Sequence, residues 1–373
     1  MQSSSVLLTS VHDTPFPKGC WMSGVVGHLM YAILGAKAAR ARGVRVDLIV
    51  DRHQDSYLCG AYLGCDIQTL PEAICIDTGE PVGYGTVPLD RSPLTGGPVR
   101  PWTLEHAGRS YRPRDIHRLL YGRAHLVFGW AGAERVHTVP WEHLADYAAD
   151  VFHDALHLYA PGERQLAYLF GWLTHIVGDS LIKSVRPGID LNLIDGKYTA
   201  KNRPIQDLVT FHEIGRKELG LRWDDLLADM AAAPVEPIQL HYMRVTKPQG
   251  RLATSFSNAW DPELQSLAKR VCAENRAYQR VRTARLLKKY RLVQRDGEWH
   301  CSQELSAASG GLTYSEMVKA AERAGFRRAL WQMGEAVAKL IIDVVERVPE
   351  LAERLRGASN VSWEELERRW KRP

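Results

Sequence analysis

Along most of the chain, hydrophobic positions recur at helical spacing. Residues 163–185, ERQLAYLFGWLTHIVGDSLIKSV, show this best. Apolar side chains return every three or four positions, no proline interrupts them, and the breaker Pro161-Gly162 stands just before. The run predicts a helix in largely apolar surroundings. It places His175 and Asp179 on one face a turn apart, close enough to share a metal ion. An imidazole and a carboxylate in such surroundings need partners, because an unsatisfied buried polar group costs about 1–3 kcal/mol. A hydrogen bond or salt bridge within the helix would be the ordinary answer, so the rest of the chain decides the matter.

The same reading predicts a helix from about Trp21, GVVGHLMYAILGAKAARARG, apolar on most faces at first and stopped by Gly43, with His28 in its first turns. The stretch 45–50 is short and β-branched, and is compatible with a strand or with entry into the next helix. Residues 58–70, LCGAYLGCDIQTL, are apolar with glycines and one carboxylate, Asp66, before Pro71. Over 76–114 glycine and proline dominate and helical periodicity disappears, which predicts a long loop. Helices resume from 113, with His117 and His125, and over 141–158, with His143, His153, Asp154 and His157. A glycine- and asparagine-bearing loop (187–204) leads to IQDLVTFHEIGRKEL, a helix carrying Asp207, His212 and Glu213. A strongly basic helix follows over 261–293, densest at 269–291, where Tyr278 and Tyr290 are interleaved with Arg and Lys. Two more helices fill 313–356. The expected fold is mostly α: a metal-binding helical core over 1–220 and a C-terminal helical region over 221–373 packing on it as one unit.

Composition changes this picture little. Of 373 residues, 45% are hydrophobic and 24% charged, ordinary values for a globular protein with a sizeable core. A net charge of +5 suits an anionic small molecule such as a phosphate ester; nucleic acid is compatible but not favoured. The six cysteines form no C-x-x-C pair and read as reduced thiols of a cytoplasmic protein. No stretch of the sequence is apolar for long enough to predict a transmembrane helix. The run 23–36 is not read as a signal peptide, because it lies late and carries His28.

The sequence has no phosphate-binding Gly-rich loop ending in Lys-Ser/Thr, no Gly-x-Ser-x-Gly and no H-E-x-x-H, which removes P-loop and serine-hydrolase chemistry. It offers instead a series of histidines and carboxylates on successive helices. His28, Asp66, His117 or His125, the pair His175 and Asp179, and the Asp207/His212/Glu213 group supply the nitrogen and oxygen donors that zinc, manganese or iron accept. Single ligands from separate helices can build a buried site of two or three ions that clamps phosphate oxygens and activates water. Asp179 is the natural bridging carboxylate.

The order of these residues resembles the zinc-dependent phospholipase C family, whose fold is shared with the fungal single-strand-specific nucleases. GHLMYAILGAKAA matches that family's early histidine helix through His28. GAYLGCDIQTLP matches its aspartate before a proline-bearing turn through Asp66. His125 or His117 corresponds to its lone histidine, and GWLTHIVGD to its H-x-x-x-D helix. The resemblance covers roughly 21–215 plus the C-terminal helix. It implies a hydrolase of phosphodiesters or phosphomonoesters holding two or three zinc ions, with His28, Asp66, His117, His125, His175, Asp179 and His212 as the candidate ligands. The chain departs from the family pattern at SLIKSVRPG, where Lys183 stands in a region that normally brings another histidine. His212-Glu213 also lacks the usual H-x-x-x-E spacing, and Trp21, expected inside an uncleaved chain, is not assigned the role of the family's amino-terminal tryptophan, whose free amine is a ligand. These departures point to a reduced site, or one in which Lys183 replaces a metal and, with Asp66 and Asp179, acts on the substrate. Arg123 is a further candidate for phosphate oxygens. Two alternatives stand beside this reading: a metal phosphohydrolase of HD type using His153 and Asp154, and a non-catalytic helical scaffold that has lost its metals.

Overall fold

The computed structural model describes residues 24–63, 70–82, 91, 92, 95–116, 143–159, 162–182, 201–233, 262–356 and 368. The fold is mostly helical. The first helix, α1 (Val25–Ala41), is buried on almost every face, as its all-round apolar sequence requires. It ends in a Schellman turn: the Val44 N–H reaches the Ala39 carbonyl at 3.1 Å and the Gly43 N–H reaches Arg40 at 2.9 Å. Gly43 takes the left-handed φ of 84° that this turn needs.

The stretch 45–50, open between strand and helix in the sequence, enters α2 (Asp47–Arg52); α3 (Gln54–Leu63) follows. Short strands begin at Ala73, and four of them lie inside the region expected as a loop over 76–114. The strands are β1 (Ala73–Cys75), β2 (Pro81–Val82), β3 (Val99–Pro101), β4 (Leu104–His106) and β5 (Arg109–Tyr111). The first three form an antiparallel sheet in the order β2-β1-β3, and β4 pairs with β5. A single turn, α4 (Pro113–Ile116), comes next. Helices α5 (Leu144–Tyr159) and α6 (Glu163–Ile182) match the expected 141–158 and 163–185 to within a few residues.

The next helix begins as α7 (Asn202–Leu208) and continues without a break as a π-helical segment, Val209–Glu218. Beyond it come α8 (Trp223–Ala232), the basic α9 (Pro262–Lys289) and a hairpin of β6 (Val293–Arg295) and β7 (Glu298–His300). Asp296 and Gly297 turn the hairpin at φ 50° and 82°, the Asp-Gly signature of a primed turn. Short α10 (Gln303–Ala308) leads to α11 (Tyr314–Arg323), α12 (Phe326–Arg347) and α13 (Pro349–Arg356). The two helices expected over 313–356 are therefore three. Pro349 lacks an N–H and favours the first position of a new helix over continuation of the old one. A capping box between Thr313 and Glu316 fixes the start of α11.

Two close helix contacts hold the centre. A Cβ on Gly60 of α3 would run into the Tyr168 carbonyl oxygen of α6, and one on Gly171 into the Tyr57 carbonyl oxygen. Between α1 and α12, a Cβ on Gly334 would stand 2.7 Å from that of Leu34. One apolar cluster runs from Val25 to Leu355, so the C-terminal helices share a core with α1, α3 and α6. Helix α9 contributes Leu267, Ala268 and Val271 to that cluster while Lys269 and Arg270 stay exposed. Among the described residues, no helix is long and apolar enough to cross a membrane.

Candidate functional site

Helices α1, α3 and α6 meet around two histidines far apart in sequence. His28 and His175 are each 1% exposed, and their rings stack with centroids 4.2 Å apart and planes 13° from parallel. Tyr31 stands edge-on to His28 at 5.8 Å and Tyr62 lies tilted at 6.1 Å. The Tyr57 hydroxyl donates to the Ala32 carbonyl at 2.6 Å, tying α3 to α1 beside the pair. Gly178, one turn beyond His175, lies under the Tyr31 ring, where a Cβ would collide with Cδ2.

The orientation of His175 is set from α3. Its Nδ1–H donates to the Ala61 carbonyl at 2.9 Å. A carbonyl can only accept, so Nδ1 carries a proton. This hydrogen bond is one by which proteins fix the tautomer of a metal-ligating histidine. It depends on the glycine contacts between α3 and α6, which let the two backbones approach closely enough for the Ala61 carbonyl to meet an α6 side chain.

A second polar group lies where α7 and its π-helical continuation meet the end of α9. Asp207 is 6% exposed and accepts a 2.6 Å hydrogen bond from the Tyr290 hydroxyl. Arg203 Nε stands 3.7 Å from the same carboxylate oxygen. Burial pushes the Asp207 carboxyl upward from the usual carboxylate range; Arg203, the Tyr290 hydroxyl, Lys289 and His28 oppose that shift. Burial, together with the adjacent carboxylate, drives the Tyr290 hydroxyl well above its ordinary range. His212 Nε2–H donates to the Tyr290 carbonyl at 2.7 Å, and its ring packs edge-on to Phe211 and Tyr314. Burial lowers the pKa of His212. Burial also acts on Glu213, raising it, but hydrogen bonds from Lys217 and the Tyr314 hydroxyl outweigh that and hold it below the usual range.

The sequence-derived candidates fall into three groups. His28 and His175 come together. His212 is buried nearby in sequence terms to Asp207 but is engaged with Tyr290 and Tyr314. Among the described residues no three His, Cys, Asp or Glu side chains form a group able to hold a metal. Asp66, His117, Arg123, His125 and Lys183 lie outside the described residues. So does the side chain of Asp179, although the backbone of α6 puts that residue one turn beyond His175. His153 of the HD alternative is exposed on α5, its ring 4.1 Å from that of His157; the Asp154 side chain is outside the described set.

Tyr290 escaped the sequence reading as part of this region. Tyr290 carried only one signal, its place as an aromatic residue at the end of a basic helix. No protein-family model, curated protein or solved structure matches the chain.

Proposed function

We propose that the chain is a metal-dependent hydrolase of phosphate esters, with His28 and His175 at the centre of its metal site. The observation that carries this reading is the meeting of these two buried imidazoles from separate helices, one of them oriented by a hydrogen bond from Nδ1 to a backbone carbonyl. Zinc, manganese and iron accept imidazole nitrogen, and two imidazoles need further donors to make a site. Asp179, one turn beyond His175, Asp66 and one of His117 or His125 complete the proposed donor set, with two or three ions in all. When bound, such ions polarise a phosphoryl oxygen and lower the pKa of water near neutrality.

The protein's own contribution is orientation and exclusion of water. The Ala61 carbonyl fixes the His175 ring, while Tyr31 and Tyr62 cover His28 with aromatic surface. Lys183 is proposed to bind substrate oxygens. The mild positive charge favours a small anionic phosphodiester or phosphomonoester, such as a lipid headgroup or a nucleotide, over a nucleic-acid polymer. The free thiols of Cys75 and Cys301 support a reducing, cytoplasmic location.

One observation favours a second reading, a helical scaffold without metals: SLIKSVRPG lacks the histidine that the resemblance leads one to expect. Elemental analysis of the purified chain separates the two. The hydrolase reading expects two or more equivalents of zinc, manganese or iron, reduced in His175→Ala and Asp179→Ala, together with hydrolysis of a chromogenic phosphate ester. A wild-type chain that neither carries nor takes up these metals would sink it.

A further inference from the structure

The charge of the chain is unevenly spread. Between residues 269 and 291 stand nine Lys or Arg and one acid, Glu274, a net of +8. The whole chain nets +5, so all other residues together carry −3. Most of this segment is α9, which packs on the core through Leu267, Ala268 and Val271 and leaves Lys269, Arg270 and Lys288 exposed. A helix face that is merely solvated usually mixes its signs. The pairs Lys339–Asp343 in α12 and Lys217–Glu213 in the π-helical segment do so. Within α9, among the described residues, one such pair, Arg270–Glu274, stands against four same-sign spacings: 276–280, 282–285, 285–288 and 285–289. Like charges at that spacing destabilise a helix, so the density is a cost that core packing does not explain. At ~1.5 Å per residue, Lys269 and Lys288 lie about 28 Å apart along the axis, and the charge is laid out as a line. That line ends beside an exposed ring. Tyr290, held at both ends by Asp207 and His212, and Leu292, packed on the core, fix the chain where α9 stops. The β6–β7 hairpin follows, and its Trp299, paired with Gln294, is 48% exposed. Three residues of chain and one cross-strand step place the backbone of Trp299 within ~15 Å of the exposed Arg291.

We propose that α9 and the β6–β7 hairpin form a docking surface for single-stranded nucleic acid, with the cations on backbone phosphates and Trp299 stacked on a base. A line of fixed cations complements a polyanion, and arginine, six of the nine, meets phosphate through two parallel N–H bonds. An indole beside such a line is a platform for a base of either sugar type, and a single strand leaves its bases free to reach it. An anionic lipid surface would meet the same cations. It is disfavoured because Asp296 and Glu298, the exposed carboxylates flanking the hairpin turn, would enter the interface along with Trp299. The surface is separate from the buried histidines and needs no metal there. The mild average charge bears on the small substrate of the buried site, whereas the local charge of α9 suits a polymer that binds without being that substrate.

The experiment is fluorescence anisotropy of a labelled mixed-sequence oligonucleotide, single-stranded or annealed to its complement, titrated with full-length chain in chelator over a series of salt concentrations. Wild type is compared with the triple variant Lys269→Glu/Lys288→Glu/Arg291→Glu and with Trp299→Ala. Wild type should bind the single strand more tightly than the duplex, and more weakly as salt rises. The triple variant should weaken single-strand binding roughly tenfold or more. It should also flatten the slope of log affinity against log salt by about 2, three contacts at ~0.7 each. Trp299→Ala should weaken single-strand binding on the order of tenfold while leaving that slope and duplex binding unchanged. If the triple variant does not fold by circular dichroism, Trp299→Ala decides alone. A wild-type chain without salt-dependent binding to the single strand overturns the assignment, as does a triple variant that binds like wild type. Equal or tighter binding of duplex, or full single-strand affinity in Trp299→Ala, overturns it as well. Sedimentation with phosphatidylserine vesicles, lost in Trp299→Ala, by a chain that ignores the oligonucleotide would overturn it in favour of a lipid surface.

Discussion

Asp207 and His212, five residues apart on one helix, hold the two ends of the same residue, Tyr290: the carboxylate accepts a hydrogen bond from its hydroxyl and the imidazole donates one to its carbonyl. On an α-helix, positions i and i+5 point roughly 140° apart. The π-helical turns from Val209 onward add residues to each turn and bring the two side chains toward a common side. The end of α9 is thereby locked to α7.

Removing the hydroxyl should expose how much the Asp207 charge depends on it. Tyr290→Phe leaves a buried carboxylate without its donor, and about 1–3 kcal/mol of stability should be lost at neutral pH. The folded-state pKa of Asp207 is raised, so the group favours the fold below the ordinary carboxylate value and loses that contribution as pH rises through the raised one. The penalty of the Phe variant should accordingly shrink on acidification, once the carboxyl takes up a proton. Urea unfolding of both proteins at pH 7 and near pH 4.5 measures this; an equal penalty at both would contradict it.

His212 predicts a pH dependence of the opposite sign. Burial depresses its pKa, so its contribution to stability is fully present above the unfolded value of about 6.5 and is lost as pH falls toward the depressed folded value. Glu213, also depressed, adds a further loss at lower pH, through the carboxylate range. His212 and Glu213 should therefore contribute less stability at pH 5.5 than at pH 7.5. His212→Gln, which does not titrate, should show a smaller difference between those two values in the same unfolding assay, at some cost in stability at both.

Gly60 and Gly171 should tolerate no side chain. Their missing Cβ atoms face backbone carbonyls, Tyr168 and Tyr57, which cannot turn away as a flexible side chain would. Gly60→Ala or Gly171→Ala should cost at least the ~1–3 kcal/mol of ordinary overpacking. It should also lengthen the Ala61–His175 hydrogen bond that spans the same contact. If the metals lie at the buried pair, a loss of zinc affinity beyond what wild-type chain shows under partly destabilising urea would reveal the second effect.

The helices were legible where their apolar spacing was long and uninterrupted, as in α5 and α6, because periodicity records which face is buried. The short strands between β1 and β5 were not, since runs of two or three residues carry no measurable alternation; Leu104, Glu105 and His106 differ little from any loop tripeptide. The separate helix α13 was missed because Leu351 and Leu355 continue the apolar stripe past Pro349, which removes an N–H. The sequence singled out His28 and His175 as ring-bearing residues on separate helices, but nothing in either segment states that their planes stack. Tyr290 is 83 residues from Asp207 along the chain, and no local pattern reports a hydrogen bond over that separation. The π-helical segment is equally silent, because the identities of Val209–Glu218 suit an α-helix as well.

The two histidine clusters of the sequence should separate by metal content. His28 and His175 are buried and stacked, whereas His153 and His157 sit in solvent on α5. His153→Ala removes an exposed ring and should change stability by no more than about 0.5 kcal/mol, the ordinary range for surface positions. If the metals lie at the buried pair, it should also leave the zinc, manganese or iron content of the purified chain unchanged. His28→Ala opens a space between α1 and α6 and removes a donor, so it should lower metal content along with stability. Elemental analysis of the two variants beside wild type decides between the readings. Loss of metal from His153→Ala with retention in His28→Ala would transfer the site to α5 and revive the His153/Asp154 dyad as its centre.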